Sequence, residues 1–115
     1  MNTIIQKFSG TDLDISIGPV YDISDALVDL STCTIAVVAR PDEGGTAVID
    51  LDDSDSQVGY SGDNNEYISL NFNSTTMTLD EGTYVMTVTV TDASSNVQRF
   101  PAAPDFIELQ ITTAL

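Results

Sequence analysis

The apolar residues of this chain recur with a period of two over almost its whole length, and few patterns narrow a fold so far. In residues 12–18, DLDISIG, the side chains Leu13, Ile15 and Ile17 alternate with Asp12, Asp14 and Ser16. In residues 66–72, EYISLNF, Ile68, Leu70 and Phe72 share one face, and Tyr67, Ser69 and Asn71 share the other. That is the period of a β-strand with one face on a core and one in water. Val, Ile and Thr dominate the runs, and no uninterrupted stretch of helix formers separates them. The chain reads as all-β.

The other runs extend the pattern. CTIAVVAR, residues 33–40, puts Cys33, Ile35, Val37 and Ala39 on one face, while Ala36 and Val38 make the second face apolar too. Such a strand is expected at the centre of a sheet, and the same alternation buries Cys33 as an inert thiol. PDEGG, residues 41–45, is a turn into TAVIDL, where Ala47, Ile49 and Leu51 align. Residues 19–31, PVYDISDALVDLS, mix Pro19 and polar turn formers with scattered apolar residues, which predicts an ordered crossover with a single helical turn. ASSN, residues 93–96, returns the chain into VQRF, and PAAP interrupts it before the last strand, because proline cannot donate to a ladder. An edge strand broken by a bulge is expected there. Seven or eight short antiparallel strands without an internal repeat predict a Greek-key β-sandwich in one domain spanning residues 1–115. At this length a chain buries roughly two thirds of its unfolded surface, enough for a core of its own.

Residues 78–92, TLDEGTYVMTVTVTD, carry the sharpest local signal. Leu79, an acidic-Gly turn and Tyr84 precede a strand with Tyr84, Met86, Val88 and Val90 on one side and mostly threonines on the other. Leu79 and Tyr84 fit the tyrosine corner of Greek-key sandwiches, in which the hydroxyl bonds back to upstream backbone. An ordinary loop followed by a core tyrosine fits the same residues.

Taken in order, SGTDLDISI, VDLSTCTIAVVARPDEGGTAVIDL and YISLNFNSTTMTLDEGTYVMTVTVTDASSNVQRF, with a closing strand, are similar to a known pattern. The chain resembles the immunoglobulin-like domain at the N-terminus of phage baseplate upper proteins, which also occurs in other tail and fibre-attachment proteins. Leu30, Ser31, Thr32, Cys33, Thr34 and Ile35 stand where that family has a Leu-Thr-Gly-Ala-Thr-Ile type sequence. Glu81, Gly82, Thr83 and Tyr84 stand at its Pro-Gly-x-Tyr turn, and Thr91 and Asp92 close the following strand. The chain departs from the pattern at Ser31 to Cys33, where the usual Gly is missing, and at PAAPD. The resemblance covers nearly the whole chain, and its motifs specify strands and turns without a reactive group. It implies an immunoglobulin-like sandwich and a virion structural protein of the neck, tail, baseplate or head decoration, oligomeric in the particle, with other virion proteins as partners. The virion, and the host cytoplasm during assembly, would be its location.

The chemistry the chain lacks agrees with such a role. It has no His, which removes the usual Ser-His and Cys-His nucleophile pairs and any His-containing metal site, so no enzyme activity and no catalytic residue is expected. Eighteen acids make some carboxylate pair inevitable, so a pair alone does not indicate a glycosidase. The net charge of -15 repels phosphate backbones and anionic lipid, so neither nucleic acid nor membrane is an expected partner. No signal-peptide pattern opens the chain and no run reaches the roughly 18 apolar residues of a bilayer span, so a soluble protein is expected. A single cysteine excludes an internal disulfide.

One stretch raises a different possibility. Residues 49–66, IDLDDSDSQVGYSGDNNE, hold six carboxylates and no cation. The helix-loop-helix calcium frame, with Gly at position six and Glu at twelve, fits from neither Asp50 nor Asp53. A looser calcium cage between strand loops, drawn from Asp50, Asp52, Asp53, Asp55, Asp63 and Glu66, stays open beside a plain solvated loop. It defines the alternative function, a calcium- or carbohydrate-binding adhesion module. For an assembly protein the candidate docking residues are Tyr21, Ile23, Leu27 and Val28 in the apolar crossover. NST at Asn73 matches a glycosylation acceptor but reads as a loop.

Overall fold

A computed structural model describes residues 3–22, 24–42, 44–101 and 107–113. Nine strands run through these residues: β1 (Thr3–Phe8), β2 (Leu13–Ile17), β3 (Thr34–Pro41), β4 (Ile49–Asp52), β5 (Val58–Ser61), β6 (Tyr67–Phe72), β7 (Gly82–Thr91), β8 (Val97–Phe100) and β9 (Ile107–Thr112). They form two sheets. One has the order β1-β9-β7-β3-β4 with β8 also on β7, and the other has the order β2-β6-β5. The only helical turn among the described residues is a 3₁₀ turn at Leu30–Thr32, at the end of the crossover.

This is an all-β sandwich of the immunoglobulin kind. One sheet holds the second, fifth and sixth strands, the other holds the first, third, seventh and last, and β4 widens the latter as in variable-type domains. The inward faces are those of the alternating pattern. Ile35, Val37 and Ala39 of β3 oppose Ile68, Leu70 and Phe72 of β6, and all are buried. β3 lies between β7 and β4, in register from Thr34↔Thr91 to Pro41↔Tyr84, which makes it the central strand its two apolar faces predict.

The sequence reading needs four corrections. Two strands carry too few alternations to stand out: TIIQKF, which forms β1, and VGYS inside the acidic stretch, which forms β5. One pairing is parallel, β1 on β9 from Thr3↔Ile107 to Phe8↔Thr112. The last strand is therefore no edge, since β1 covers it. β8 pairs with the second half of β7 and β9 with the first half, so they occupy one flank of β7 in succession, and the interruption falls after Phe100. Residues 102–106, where most of PAAPD lies, are outside the described residues. Finally, Cys33 precedes β3 as the cap of the 3₁₀ turn instead of belonging to the strand, and it packs against the edge of the core only half-buried.

The core also contains residues that no strand alternation marks. Val20, Leu30 and Met77 are wholly buried and come from connections. Val20 is held by its N–H to the Glu66 carbonyl at 2.8 Å, and Met77 by its N–H to the Asn73 carbonyl at 3.0 Å, so each loop delivers a side chain to the sheets.

The corner at Tyr84 is formed. The Tyr84 hydroxyl donates to the Asp80 carbonyl at 2.6 Å, and the ring is 6% exposed. Leu79 packs against the core, while the Ser9 hydroxyl donates to the Leu79 carbonyl at 2.7 Å and accepts from its N–H at 3.1 Å. Two residues after such a tyrosine, antibody domains carry a cysteine of their inter-sheet disulfide. Met86 stands there, fully buried, so packing replaces a covalent link in a chain with one cysteine.

Candidate functional site

The acidic stretch folds into two strands and their turns, and three of its six carboxylates, Asp52, Asp55 and Glu66, accept local hydrogen bonds. Asp50 and Asp52 lie on β4, two residues apart and exposed. The Asp52 carboxylate accepts from the Ser54 N–H at 2.9 Å and from the Ser54 hydroxyl, and these bonds, the hydroxyl's first, lower its pKa. Asp55 accepts from the Gln57 N–H at 2.9 Å and from the Gln57 side-chain amide at 3.1 Å. Asp53 donates its N–H to the Ile35 carbonyl, and Asp63 is exposed in the turn from β5 to β6. Glu66, only 8% exposed, accepts from the Asn64 N–H at 2.8 Å. Among the described residues no group of three or more His, Cys, Asp or Glu is arranged to hold a metal ion. Asp52 and Asp55 act as turn caps, the ordinary work of Asx side chains.

The apolar crossover forms a different kind of surface. Tyr21 and Leu27 pair as an isolated antiparallel bridge, closed by Asp22 N–H to the Ala26 carbonyl at 2.9 Å and Val28 N–H to the Val20 carbonyl at 3.0 Å. Asp22 fixes the tip by accepting from the N–H groups of Ser24 and Ala26. The bridge holds Tyr21 and Leu27 outward, 48% and 46% exposed, while Val28 turns in against the core. Ile23 lies outside the described residues. The lobe leans on the hairpin between β7 and β8, where the Gln98 side-chain amide donates to the Tyr21 carbonyl at 2.9 Å.

Between lobe and hairpin runs an open groove of about 580 Å³ at one end of the sandwich. Leu27, Val28, Val90 and Val97 supply its apolar lining, with Val97 63% exposed. Asp22, Asp29 and Asp92 supply carboxylates, and no cation lines it. Two of these acids are held below the ordinary carboxylate range. Asp29 is lowered first by the Ser31 hydroxyl, then by the Ser31 N–H and the Asn65 amide. Asp92 is lowered chiefly by the Asn96 N–H, which closes the hairpin turn together with the Ser94 N–H. Their hydrogen bonds orient them along the rim and keep them ionised. Cys33 also lines the groove, with its thiol 3.7 Å from the Asp29 carbonyl.

Such a site has shape and charge, and its titratable lining is carboxylate and a single thiol, since the chain contains no His. It can present apolar side chains beside fixed negative charge, which is the chemistry of recognition. Of the candidate docking residues, Tyr21 and Leu27 meet in the bridge, and Leu27 and Val28 line the groove. Val97 and the acids Asp29 and Asp92 were not predicted, because nothing in a linear pattern brings residues 27 and 97 to one groove. No helix among the described residues is long and apolar enough to cross a membrane.

No protein-family model matches the chain, and no curated protein does. Among solved structures it is similar to murine CRIg, at 14% identity and a TM-score of 0.44, covering 96% of this chain and 92% of that one. The assignment to the immunoglobulin architecture rests on the strand pairing, and this likeness adds nothing to it.

Proposed function

We propose that this chain is a non-enzymatic structural protein of a tailed-phage virion, a neck, tail, baseplate or head-decoration component that works by protein–protein assembly. The single observation that supports assembly is the open end of the sandwich, where Tyr21, Leu27 and Val97 stand exposed on a braced lobe and hairpin. Large apolar side chains held out on a hydrogen-bonded backbone are what a docking surface needs, because little backbone freedom remains to be lost on binding. The sequence resemblance to the baseplate upper protein domain supplies the phage context. The acidic remainder of the surface keeps the free subunit soluble.

Quantitative mass spectrometry of particles purified from the source of the chain is the test. A structural component copurifies at a fixed ratio to the other virion proteins, set by the symmetry of its position. A chain absent from particles and left in the soluble fraction contradicts the proposal.

A further inference from the structure

The two sheets leave five strand edges among the described strands, counting β8, which pairs only with β7, and four of them are guarded. β4 carries Asp50 and Asp52, and β2 carries Asp14, all exposed. β5 and β8 have only four residues each, with Gly59 in the first and Arg99 in the second. Charges and short length are the ordinary means by which sheet edges avoid pairing with other chains. β1 is different. It has six residues and no acid in a chain of net charge -15, and it exposes Ile4 and Phe8, 58% and 57% accessible. β9 covers one side of it, and no described strand pairs with the other.

The outward residues of β1 are Ile4, Gln6 and Phe8, symmetric in spacing about Gln6. From this we infer that β1 pairs antiparallel with β1 of a second copy of this chain, about a two-fold axis through Gln6, joining two sheets edge to edge. In that register each Ile4 faces Phe8 of the other copy, giving two aromatic–β-branched cross-strand pairs, and the two Gln6 amides meet at the axis. No other two-fold register makes these pairs. Shifting the axis to Ile5 sets Ile4 against Gln6, and shifting it to Lys7 sets Gln6 against Phe8 and Lys7 against itself. Charge also selects this edge, because a second copy carrying fifteen negative charges approaches most easily where acids are absent and Lys7 is present. The inference deepens the assembly proposal by naming one contact. It concerns the isolated chain, so it can fail while the virion role stands.

The test is sedimentation velocity of the full chain over the micromolar range, at low and high salt. The expected result is a monomer–dimer equilibrium that tightens with salt, as screening weakens the repulsion between copies. Ile4→Lys and Phe8→Lys should each weaken dimerisation about tenfold or more without changing the circular dichroism spectrum or melting temperature, since both side chains are exposed. A Gln6→Cys variant in a Cys33→Ser background should oxidise to a covalent dimer, because residues facing each other on an antiparallel pair lie within disulfide range. A chain monomeric under all these conditions overturns the inference. So does a dimer that persists unchanged in both lysine variants, or one that Gln6→Cys does not cross-link. A β1 that binds only the strand of another protein overturns the second copy as its occupant.

Discussion

Strand β7 runs from one end of the sandwich to the other, and its two ends are built on opposite principles. At its start Tyr84 is 6% exposed, its hydroxyl is bonded to the Asp80 carbonyl, and Ser9 ties the neighbouring Leu79 to the end of β1. Near its finish Val90 and Asp92 line a groove whose far wall holds Leu27, on the lobe where its bridge partner Tyr21 is also nearly half exposed. Both ends use a tyrosine and an aspartate. One end turns them inward, with a backbone carbonyl of the aspartate as the acceptor, and the other turns them outward, with the carboxylate itself spent on a hairpin turn. The closed end contributes stability, and the open end forgoes it and presents a surface.

Substitutions at the two ends should therefore separate. The largest effect is expected from Tyr84→Ala, which removes a buried ring and should cost about 3–5 kcal/mol in denaturant unfolding. Tyr84→Phe keeps the ring and leaves the Asp80 carbonyl without its hydroxyl partner, at about 1–2 kcal/mol. Leu27→Ala and Val97→Ala at the open end should each stay within about 0.5 kcal/mol of the parent, because the side chains removed are already largely in water. Equal losses at both ends would erase the distinction. A loss of virion incorporation by the open-end variants alone would sharpen it.

Acid provides a subtler comparison. Asp29, Asp52 and Asp92 all have folded pKa values below 3.8, so the stability they contribute is present above that pH and is lost as pH falls through their folded values. Protonation elsewhere acts in the opposite sense, because it relieves the repulsion of fifteen net negative charges. Melting temperature should accordingly rise on mild acidification and turn downward only below pH 3.8. Salt should flatten the rise, since it screens the same repulsion. The smallest effect is expected from calcium. With Asp52, Asp55 and Glu66 engaged as caps, calcium and magnesium at equal concentration should raise the melting temperature alike, and a rise specific to calcium would restore the adhesion-module alternative.

How far these features were legible in the sequence depended on whether they were local. Alternation gave the faces of β2, β3, β6 and β7, because a strand's sidedness is set by its own residues. The corner was readable for the same reason, since Leu79, Asp80 and Tyr84 are neighbours. β1 was missed because Ile4 and Ile5 are adjacent and Phe8 lies off the face of Ile5, so no clean period appears. Its strand state comes from β9, more than a hundred residues away. The groove was half visible: Tyr21, Leu27 and Val28 announced an apolar loop, whereas Val97 looked like the start of a routine strand. The acids of residues 49–66 misled in the other direction. Their density invited a metal reading, but Asp52 and Asp55 accept from donors two residues on, at Ser54 and Gln57.

The claim that the open end of the sandwich is the docking face is tested most directly by carboxylate-reactive cross-linking of intact particles, since the chain has a single lysine, Lys7, to offer amine reagents. The residues linked to other virion proteins should cluster at Asp22, Asp29 and Asp92, around the groove. Links confined to the exposed acids of β4 and the turn at Asp63, with the groove unmodified by contact, would contradict it.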